Sequence, residues 1–179
     1  MTDTLKVRFA APPDIAAIAA IYGEAVANGT ASFELAVPDE AEMTRRFEAI
    51  VSGGFPYLVA EHAGAVVGYA YAGPYRPRPA YRFTVEDSIY IDPAAQRLGI
   101  GRALLTRLVE ESEARGFRQM LAVIGDSENA GSIRLHAALG FRMVGTFANV
   151  GWKHGRWLDS VLMQRGLGEG AETPPPPGA

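Results

Sequence analysis

The sequence predicts a single α/β domain in which a mixed central β-sheet is flanked by helices. Its 179 residues correspond to about one domain. Segments with the apolar pattern of strands are interspersed with segments of helical spacing, in the order β-α-α-β-β-β-α-β-α-β-β. This order contains more strands than a simple doubly wound fold. Without a repeat or a composition shift, we expect one domain at residues 1–165 and a proline-rich, disordered or extended tail at residues 166–179 that packs against no core.

Composition excludes several classes of protein. The chain has no cysteine, which excludes a disulfide framework, a thiolate nucleophile and thiolate metal sites. Its net charge of -3 argues against nucleic acid as a partner. No apolar run approaches the ~20 residues of a membrane span, and the first residues lack the apolar segment of a signal peptide. We therefore expect a cytoplasmic protein that binds neither membrane nor nucleic acid.

The first half of the chain contains the signals of three strands and two helices. Alternating apolar residues indicate strands, apolar residues at helical spacing indicate helices, and glycines mark the helix ends. The predicted elements are a strand at residues 6–9, a helix from Ile15 that Gly29 ends, a helix that Val37–Glu40 opens and Gly53-Gly54 ends, and a hairpin of strands 57–62 and 65–71. The following segment, 73–82, is rich in proline and arginine and predicts a loop.

The second half begins with a strand at residues 84–91 whose side chains alternate between two faces. Val85, Asp87, Ile89 and Ile91 point one way, and Glu86, Ser88 and Tyr90 point the other. The unbroken apolar run 120–124 is typical of a strand buried on both faces. The remaining predicted elements are helices at 100–114 and 130–139, ended by Gly116 and Gly140, and strands at 141–147 and 157–163.

A glycine-rich segment lies between a predicted strand and the start of a helix. It reads Gln96-Arg97-Leu98-Gly99-Ile100-Gly101-Arg102-Ala103. Glycines let the backbone approach an anion closely, and the first-turn amides of a helix stabilise negative charge. The segment lacks the lysine of a Walker loop, and Leu104 stands where a dinucleotide fingerprint needs its third glycine. The segment therefore predicts another kind of phosphate loop or, as the alternative, a helix start that binds nothing.

With its flanking strand and helix, this loop resembles the acetyl-CoA pyrophosphate loop of the GNAT N-acetyltransferases. Asn129–Ser132, followed by Leu135–Phe141, resembles the second signature of that superfamily. Four further segments resemble its phosphinothricin and methionine sulfoximine acetyltransferases: Thr30–Glu34, Gly73–Pro77, Val85–Tyr90 and Val150–Asp159. The resemblance covers all but the proline-rich tail. It implies a GNAT fold, acetyl-CoA as co-substrate, and a homodimer.

The resemblance also implies which residues hold acetyl-CoA. The loop takes the pyrophosphate, while Asn129 and Ser132 contact the pantetheine arm, although the two residues equally form an N-cap pair. The cofactor-binding residues are expected to be Ser88, Ile89, Tyr90, Ile91, Gln96, Arg97, Leu98, Gly99, Ile100, Gly101, Arg102, Ala103, Asn129 and Ser132.

Amine acetylation needs a group that takes a proton from the amine, and the departing thiolate needs one back. The resemblance implies that Glu86 is the general base; the alternative is an edge-strand carboxylate that faces solvent. His136 stands where many GNAT enzymes have tyrosine, and its role stays open between acid, part of a base relay and packing residue. His62 and His154 have no partners at metal-ligand spacing, so no metal is expected.

The arginine-rich loop suggests an anionic substrate, because arginine binds carboxylates in bidentate fashion. Arg76 matches the substrate arginine of the family, and Phe33 is expected to close over the substrate; a solvated basic loop is the alternative. The predicted substrate-binding residues are Phe33, Tyr75, Arg76, Pro77, Arg78, Arg82, Val85, Glu86 and Asp87.

The sequence thus predicts a cytoplasmic enzyme that acetylates the α-amino group of phosphinothricin, methionine sulfoximine or methionine sulfone, in a detoxifying or resistance role. One alternative is a different amine, such as a protein N-terminus, a polyamine or an aminoglycoside. The loop arginines argue against the two cationic classes. The other alternative is a non-catalytic acetyl-CoA-binding module, which would need no base at Glu86.

Overall fold

A seven-stranded sheet and four α-helices make up the part of the chain, residues 4–175, that the computed structural model describes. The strands are β1 (Lys6–Phe9), β2 (Tyr57–His62), β3 (Ala65–Pro74), β4 (Thr84–Ile91), β5 (Gln119–Gly125), β6 (Arg142–Lys153) and β7 (Arg156–Gly166). The helices are α1 (Ile15–Asn28), α2 (Glu40–Ser52), α3 (Ile100–Ala114) and α4 (Ala130–Ala138). The predicted mixed α/β sheet flanked by helices is confirmed.

The strand order β1-β2-β3-β4-β5-β7-β6 places the parallel pair β4 and β5 near the middle of the sheet, and the other neighbours are antiparallel. Pairing between β4 and β5 ends at Asp87 opposite Ala122. Beyond that point β4 pairs only with β3 and β5 only with β7, although both strands continue. The sheet therefore contains a fork between its two central strands.

The helices cover the two faces of the sheet unequally. On one face, α3 packs on a core that includes Val85, Leu104 and Met120. On the other face, α1 and α2 pack mainly on β2, β3 and β4 around a core rich in tyrosine. Glu86 alternates with Val85 along β4, so it lies on the α1–α2 face.

The prediction that the fifth strand is buried on both faces is wrong on one face. Val123 is 41% exposed and Leu121 is half-buried. Leu121 lies in register with Glu86 of β4, on the face where α1 and α2 cover β2 to β4 and extend less over β5. An uncovered strip of sheet thus runs beside Glu86.

β3, β6 and β7 each extend at least three residues beyond the end that the sequence predicted. β3 continues to Pro74 because Gly73 and Pro74 pair with Glu86 and Val85 of β4. β6 and β7 form a long hairpin in which pairing extends to Lys153 opposite Arg156. Tertiary pairing supplies the hydrogen bonds that local sequence patterns do not reveal.

The segment after β7 differs from the expected extended tail in its first residues. Leu167 is fully buried in the core, and its amide donates to the carbonyl oxygen of Arg118. The Arg118 guanidinium in turn donates to Thr173 Oγ1 at 3.1 Å and to the carbonyl oxygen of Pro174 at 3.3 Å. The expectation that nothing after residue 165 packs against the core is therefore wrong for Leu167. Residues 176–179 lie outside the described part of the chain.

Candidate active site

A groove of about 790 Å³ opens where β4 and β5 separate. Its walls come from β4, β5, the loop before α3, and α4, and α1 adds Ile21, Glu24 and Ala25. The predicted cofactor residues that line it are Ser88, Ile89, Tyr90, Ile91, Gln96, Arg97, Gly99, Ile100, Gly101, Asn129 and Ser132. Leu98, Arg102 and Ala103 are not among the lining residues. Nothing in the sequence indicated that these α1 residues line a groove, because helical spacing shows only which face of a helix packs against the core.

The glycine-rich loop enters α3 through an unusual backbone. Arg97 and Gly99 both have positive φ, 69° and 76°, and Gly99 is the N-cap of α3. A Cβ at Gly101 would lie 3.0 Å from Ile91 Cδ1, so the first turn of α3 packs closely on β4. No side chain caps α3, which leaves its first amides available to an anion in the groove.

Glu86 is a half-buried carboxylate on a central strand. β4 lies between β3 and β5, so the edge-strand alternative is excluded. Burial, and then the charge of Asp87, raise the pKa of Glu86 above its ordinary value. Within residues 4–175 the carboxylate has no hydrogen-bond or ion-pair partner, which leaves its lone pairs available. A carboxylate with a raised pKa and free lone pairs is suited to accept a proton.

Asp87 lies on the face opposite to Glu86 and binds His136. The distance from Asp87 Oδ2 to His136 Nε2 is 2.9 Å, and both side chains are 2% exposed. His136 Nδ1 lies 2.8 Å from the carbonyl oxygen of Ser132, and the ring packs edge-on against Phe141. Burial opposes the charged ring, but the bond to Asp87 and its charge outweigh it and raise the pKa of His136.

Asn129 and Ser132 form the N-cap pair that the sequence offered as one of two interpretations. Asn129 is the N-cap of α4, and its Oδ1 accepts a hydrogen bond from the Ser132 amide at 3.2 Å. Both residues also line the groove. Capping therefore leaves them in position to contact a bound ligand.

The arginine-rich loop places the Arg76 guanidinium beside two aromatic rings that contact each other. Its guanidinium carbon lies 5.0 Å from the centre of the Tyr75 ring and 5.9 Å from that of Tyr81. Arg82 instead stacks on Phe83 and donates to the carbonyl oxygen of Pro79. In the described part of the chain Arg76 has no ion-pair partner, so it remains open to an anionic group.

The predicted substrate residues do not all lie on one side of the sheet. Val85 is fully buried against the α3 core, and Asp87 is buried against His136. The side chains of these two predicted substrate-binding residues therefore lie on the face opposite to Glu86. Alternation along β4 separates them from Glu86.

The segment between α1 and α2 holds Phe33 against the end of the β6–β7 hairpin. A Cβ at Gly151 would lie 2.5 Å from the Phe33 ring. The adjacent Ser32 accepts a hydrogen bond at its carbonyl oxygen from the buried Lys153 Nζ at 2.8 Å. Burial lowers the pKa of Lys153, and the negative charge of Glu34 offsets part of this shift. Gly151 and Lys153 belong to the motif Val150–Asp159, but nothing in that motif indicates that they contact the segment between α1 and α2.

The sequence is similar to known proteins over most of its length. The profile of the acetyltransferase (GNAT) family matches residues 23–141. Phosphinothricin N-acetyltransferase of Alcaligenes faecalis is 52% identical over 169 residues, which are 94% of this chain and 86% of that protein. The L-methionine sulfoximine/L-methionine sulfone acetyltransferase of Salmonella typhimurium is 43% identical over 167 residues, 93% of this chain and 97% of that protein.

A solved structure extends the similarity to three dimensions. The crystal structure of a GNAT superfamily phosphinothricin acetyltransferase from Sinorhizobium meliloti, in complex with acetyl-CoA, superposes with a TM-score of 0.94 at 53% identity. The match covers 100% of this chain and 96% of that one.

Proposed function

This chain belongs to the acetyltransferase (GNAT) family, and we propose that it transfers the acetyl group of acetyl-CoA to the α-amino group of a small amino-acid analogue. Phosphinothricin, methionine sulfoximine and methionine sulfone are the proposed substrates, as they are named for its relatives. The observation that carries the proposal is the half-buried Glu86 with a raised pKa, next to the fork where the groove begins.

The groove fits acetyl-CoA in its chemistry and its size. The uncapped first turn of α3 offers amides to the pyrophosphate, and the left-handed Gly99 leaves open space above it. A volume of about 790 Å³ lies within the usual range for a small-molecule site. Beyond Asp87 the side of β4 that faces β5 has no strand partner, and its backbone groups face the pantetheine arm. The side chains of Asn129 and Ser132 face the same arm.

Glu86 acts as the general base in this proposal. It takes a proton from the substrate ammonium, directly or through a water, and the free amine attacks the thioester carbon. The C–N bond forms, the C–S bond breaks and its electron pair remains on sulfur. A non-catalytic acetyl-CoA-binding module would have no use for a carboxylate desolvated at this position.

Arg76 binds the substrate carboxylate, and Phe33 limits the space around the substrate side chain. Arginine forms charge-assisted bonds to a carboxylate, and the two tyrosine rings hold the guanidinium in place. A cationic polyamine or aminoglycoside would be repelled by the same arginine. The loop therefore favours an amino-acid substrate.

We further propose a homodimer formed through the β6–β7 hairpin. Trp152 and Trp157 lie 5.2 Å apart, ring centre to ring centre, and are 56% and 58% exposed. Met143, Val144, Phe147 and Val150 add further exposed apolar surface on β6. Apolar patches of this kind are typical of protein interfaces.

The enzyme is proposed to work in the cytoplasm, where acetyl-CoA is available, in a detoxifying or resistance role and without a metal. No helix in the described residues 4–175 meets the length and hydropathy of a membrane span.

The test is a CoA-release assay with acetyl-CoA and six amines: methionine sulfoximine, methionine sulfone, phosphinothricin, spermidine, an aminoglycoside and a short peptide. We expect saturable turnover with the first three and none with spermidine or the aminoglycoside. Turnover confined to the peptide would replace the amino-acid substrate by a protein N-terminus. Tight binding of acetyl-CoA with no turnover on any amine would favour a binding module.

A further inference from the structure

A short segment between α1 and α2, residues 29–34, crosses over the end of β5 and is called the strap below. A Cβ at Gly125 of β5 would lie 2.6 Å from the carbonyl oxygen of Thr30 and 3.0 Å from Cε1 of the Phe33 ring. Gly125 also lines the groove. The strap therefore lies directly on β5 beside the groove, at a place where only glycine leaves room for it.

The strap ends an open strip of sheet that begins at Glu86. Leu121 lies in register with Glu86, and alternation along β5 places Val123 and Gly125 on the same face as Leu121. Val123 is 41% exposed, so neither helix of this face covers the strip. Open sheet surface thus extends from Glu86 to a boundary that the Phe33 ring forms at Gly125.

Lys153 anchors the strap from the β6–β7 hairpin. Its Nζ donates to the carbonyl oxygen of Ser32, the residue before Phe33, at 2.8 Å. Gly151 is two residues earlier on the same face of β6, and a Cβ there would lie 2.5 Å from the Phe33 ring. Trp152, between them, is exposed. One face of the hairpin end thus contacts both the backbone and the aromatic ring of the strap.

The amine of Lys153 is costly to bury. Lys153 is 4% exposed, and within residues 4–175 the Ser32 carbonyl oxygen is the single hydrogen-bond acceptor of its Nζ. The nearby carboxylate of Glu34 is bonded to Arg46 at 2.6 Å instead. Because a buried amine loses its hydration, an apolar side chain of similar length would fill this space at a lower cost. What the amine adds over such a side chain is its bond to the strap.

We propose that Lys153 is a positioning residue that determines substrate specificity, because it holds the strap where Phe33 limits the length of the substrate side chain. This inference rests on the proposed acetyltransferase function. The substrate amine lies at Glu86, and its side chain extends along the open strip of β5 towards the ring. Lys153 contacts neither substrate nor acetyl-CoA and acts through Phe33 alone. The substrates that fit are amino acids with a short side chain, such as methionine sulfone.

The first experiment is kinetic and uses Lys153→Met, which removes the amine and nearly keeps the length of the side chain. We expect the KM for methionine sulfone to rise about tenfold, the scale of one lost hydrogen bond from a charged group, while kcat and the KM for acetyl-CoA change less than about twofold. The preference for methionine sulfone over the bulkier phenylalanine, as a ratio of kcat/KM values, should fall by about the same factor. An unchanged preference would overturn the inference.

The second experiment tests whether Lys153 acts through the ring. Phe33 is 38% exposed, so we expect Phe33→Ala to fold and to lower the same preference. Lys153→Met added to Phe33→Ala should cause little further loss, because the ring that Lys153 positions is already absent. Fully additive losses in the double variant would show that Lys153 affects the substrate by another route.

The third experiment observes the anchor in the wild type and needs no variant at position 153. The chain has two lysines, and Lys6 is exposed on the edge strand β1, so its ¹⁵N signal is assigned by its loss in Lys6→Met. We expect ¹⁵N relaxation to show an immobilised amine at Lys153 and a mobile amine at Lys6. Equal mobility of the two amines would overturn the inference.

Lys6→Met is also the kinetic control and should leave kcat, both KM values and the substrate preference unchanged. A wild type that turns over no amine but shows an immobilised Lys153 would overturn the proposed function and the specificity role, while the anchoring of the strap would stand. A mobile Lys153 in an active enzyme would overturn this inference alone and leave the proposed function in place.

Discussion

Glu86 and Asp87 are consecutive on β4, yet their carboxylates face opposite sides of the sheet and have opposite surroundings. Glu86 is half-buried and has no partner in the described part of the chain, whereas Asp87 is buried and bonded to His136. Burial raises the pKa of the first carboxyl, and the charge of the second adds to that shift. One dipeptide thus supplies two acidic groups with separate chemical environments.

Replacement of Glu86 by glutamine tests the general base. We expect Glu86→Gln to lower kcat by about 10²–10⁴-fold and to leave acetyl-CoA affinity near that of the wild type. Steady-state kinetics and acetyl-CoA titration measure the two effects. Glu48→Gln, an exposed glutamate on α2, is the control and should change neither. Near-wild-type turnover in Glu86→Gln would remove this residue from the mechanism.

The raised pKa of Glu86 can be measured directly. We expect its carboxyl, followed by ¹³C NMR, to titrate above the ordinary glutamate value of about 4.3. In Asp87→Asn the pKa should fall, but not completely, because burial is the larger cause and remains. Since a base must be deprotonated, activity should be lost as the pH falls through this raised value. A pKa at or below the ordinary value would contradict the assignment of burial as the dominant cause.

Arg76 is expected to bind the substrate carboxylate. Arg76→Ala should weaken amino-acid binding by about 1.5–3 kcal/mol, the value of a hydrogen bond to a charged group, with little effect on acetyl-CoA. The KM for methionine sulfoximine measures it. Arg45→Ala removes an arginine from α2 whose side chain is 68% exposed and should be neutral. An unchanged KM in Arg76→Ala would mean that another residue binds the carboxylate.

Gly151 is expected to be required for the position of Phe33. A Cβ at Gly151 would lie 2.5 Å from the Phe33 ring, so Gly151→Ala should displace the ring and raise the amino-acid KM severalfold while acetyl-CoA still binds. Gly145→Ala on the same strand is the control, since a Cβ there meets no atom within 4 Å. Equal amino-acid KM values for the two variants would show that the position of Phe33 does not affect substrate binding.

The exposed tryptophans of the β6–β7 hairpin are expected to be dimer contacts. Trp157→Arg should shift the protein from dimer to monomer in analytical ultracentrifugation, because it introduces a charge into an apolar interface. Val51→Arg changes an exposed apolar residue on α2 and should leave the dimer intact. A monomeric wild type would contradict the proposed assembly.

The local part of this structure was readable from the sequence. The alternation of β4, the glycine that ends α1 and the glycine-rich entry to α3 each depend on neighbours within a few residues, so spacing alone predicts them. The same patterns could not predict the open face of β5, because exposure depends on which strands α1 and α2 cover.

The sequence by itself determined a mixed α/β fold and predicted an anion-binding helix start, and its motifs indicated an acetyltransferase of the GNAT family. Only the tertiary structure decided that the carboxylate of Asp87 is paired and that the carboxylate of Glu86 has no partner in the described part of the chain. Asp87 and His136 are 49 residues apart, and Lys153 lies 121 residues from its acceptor Ser32. Such contacts depend on how the elements pack across the sheet, and no local pattern of residue types encodes that arrangement.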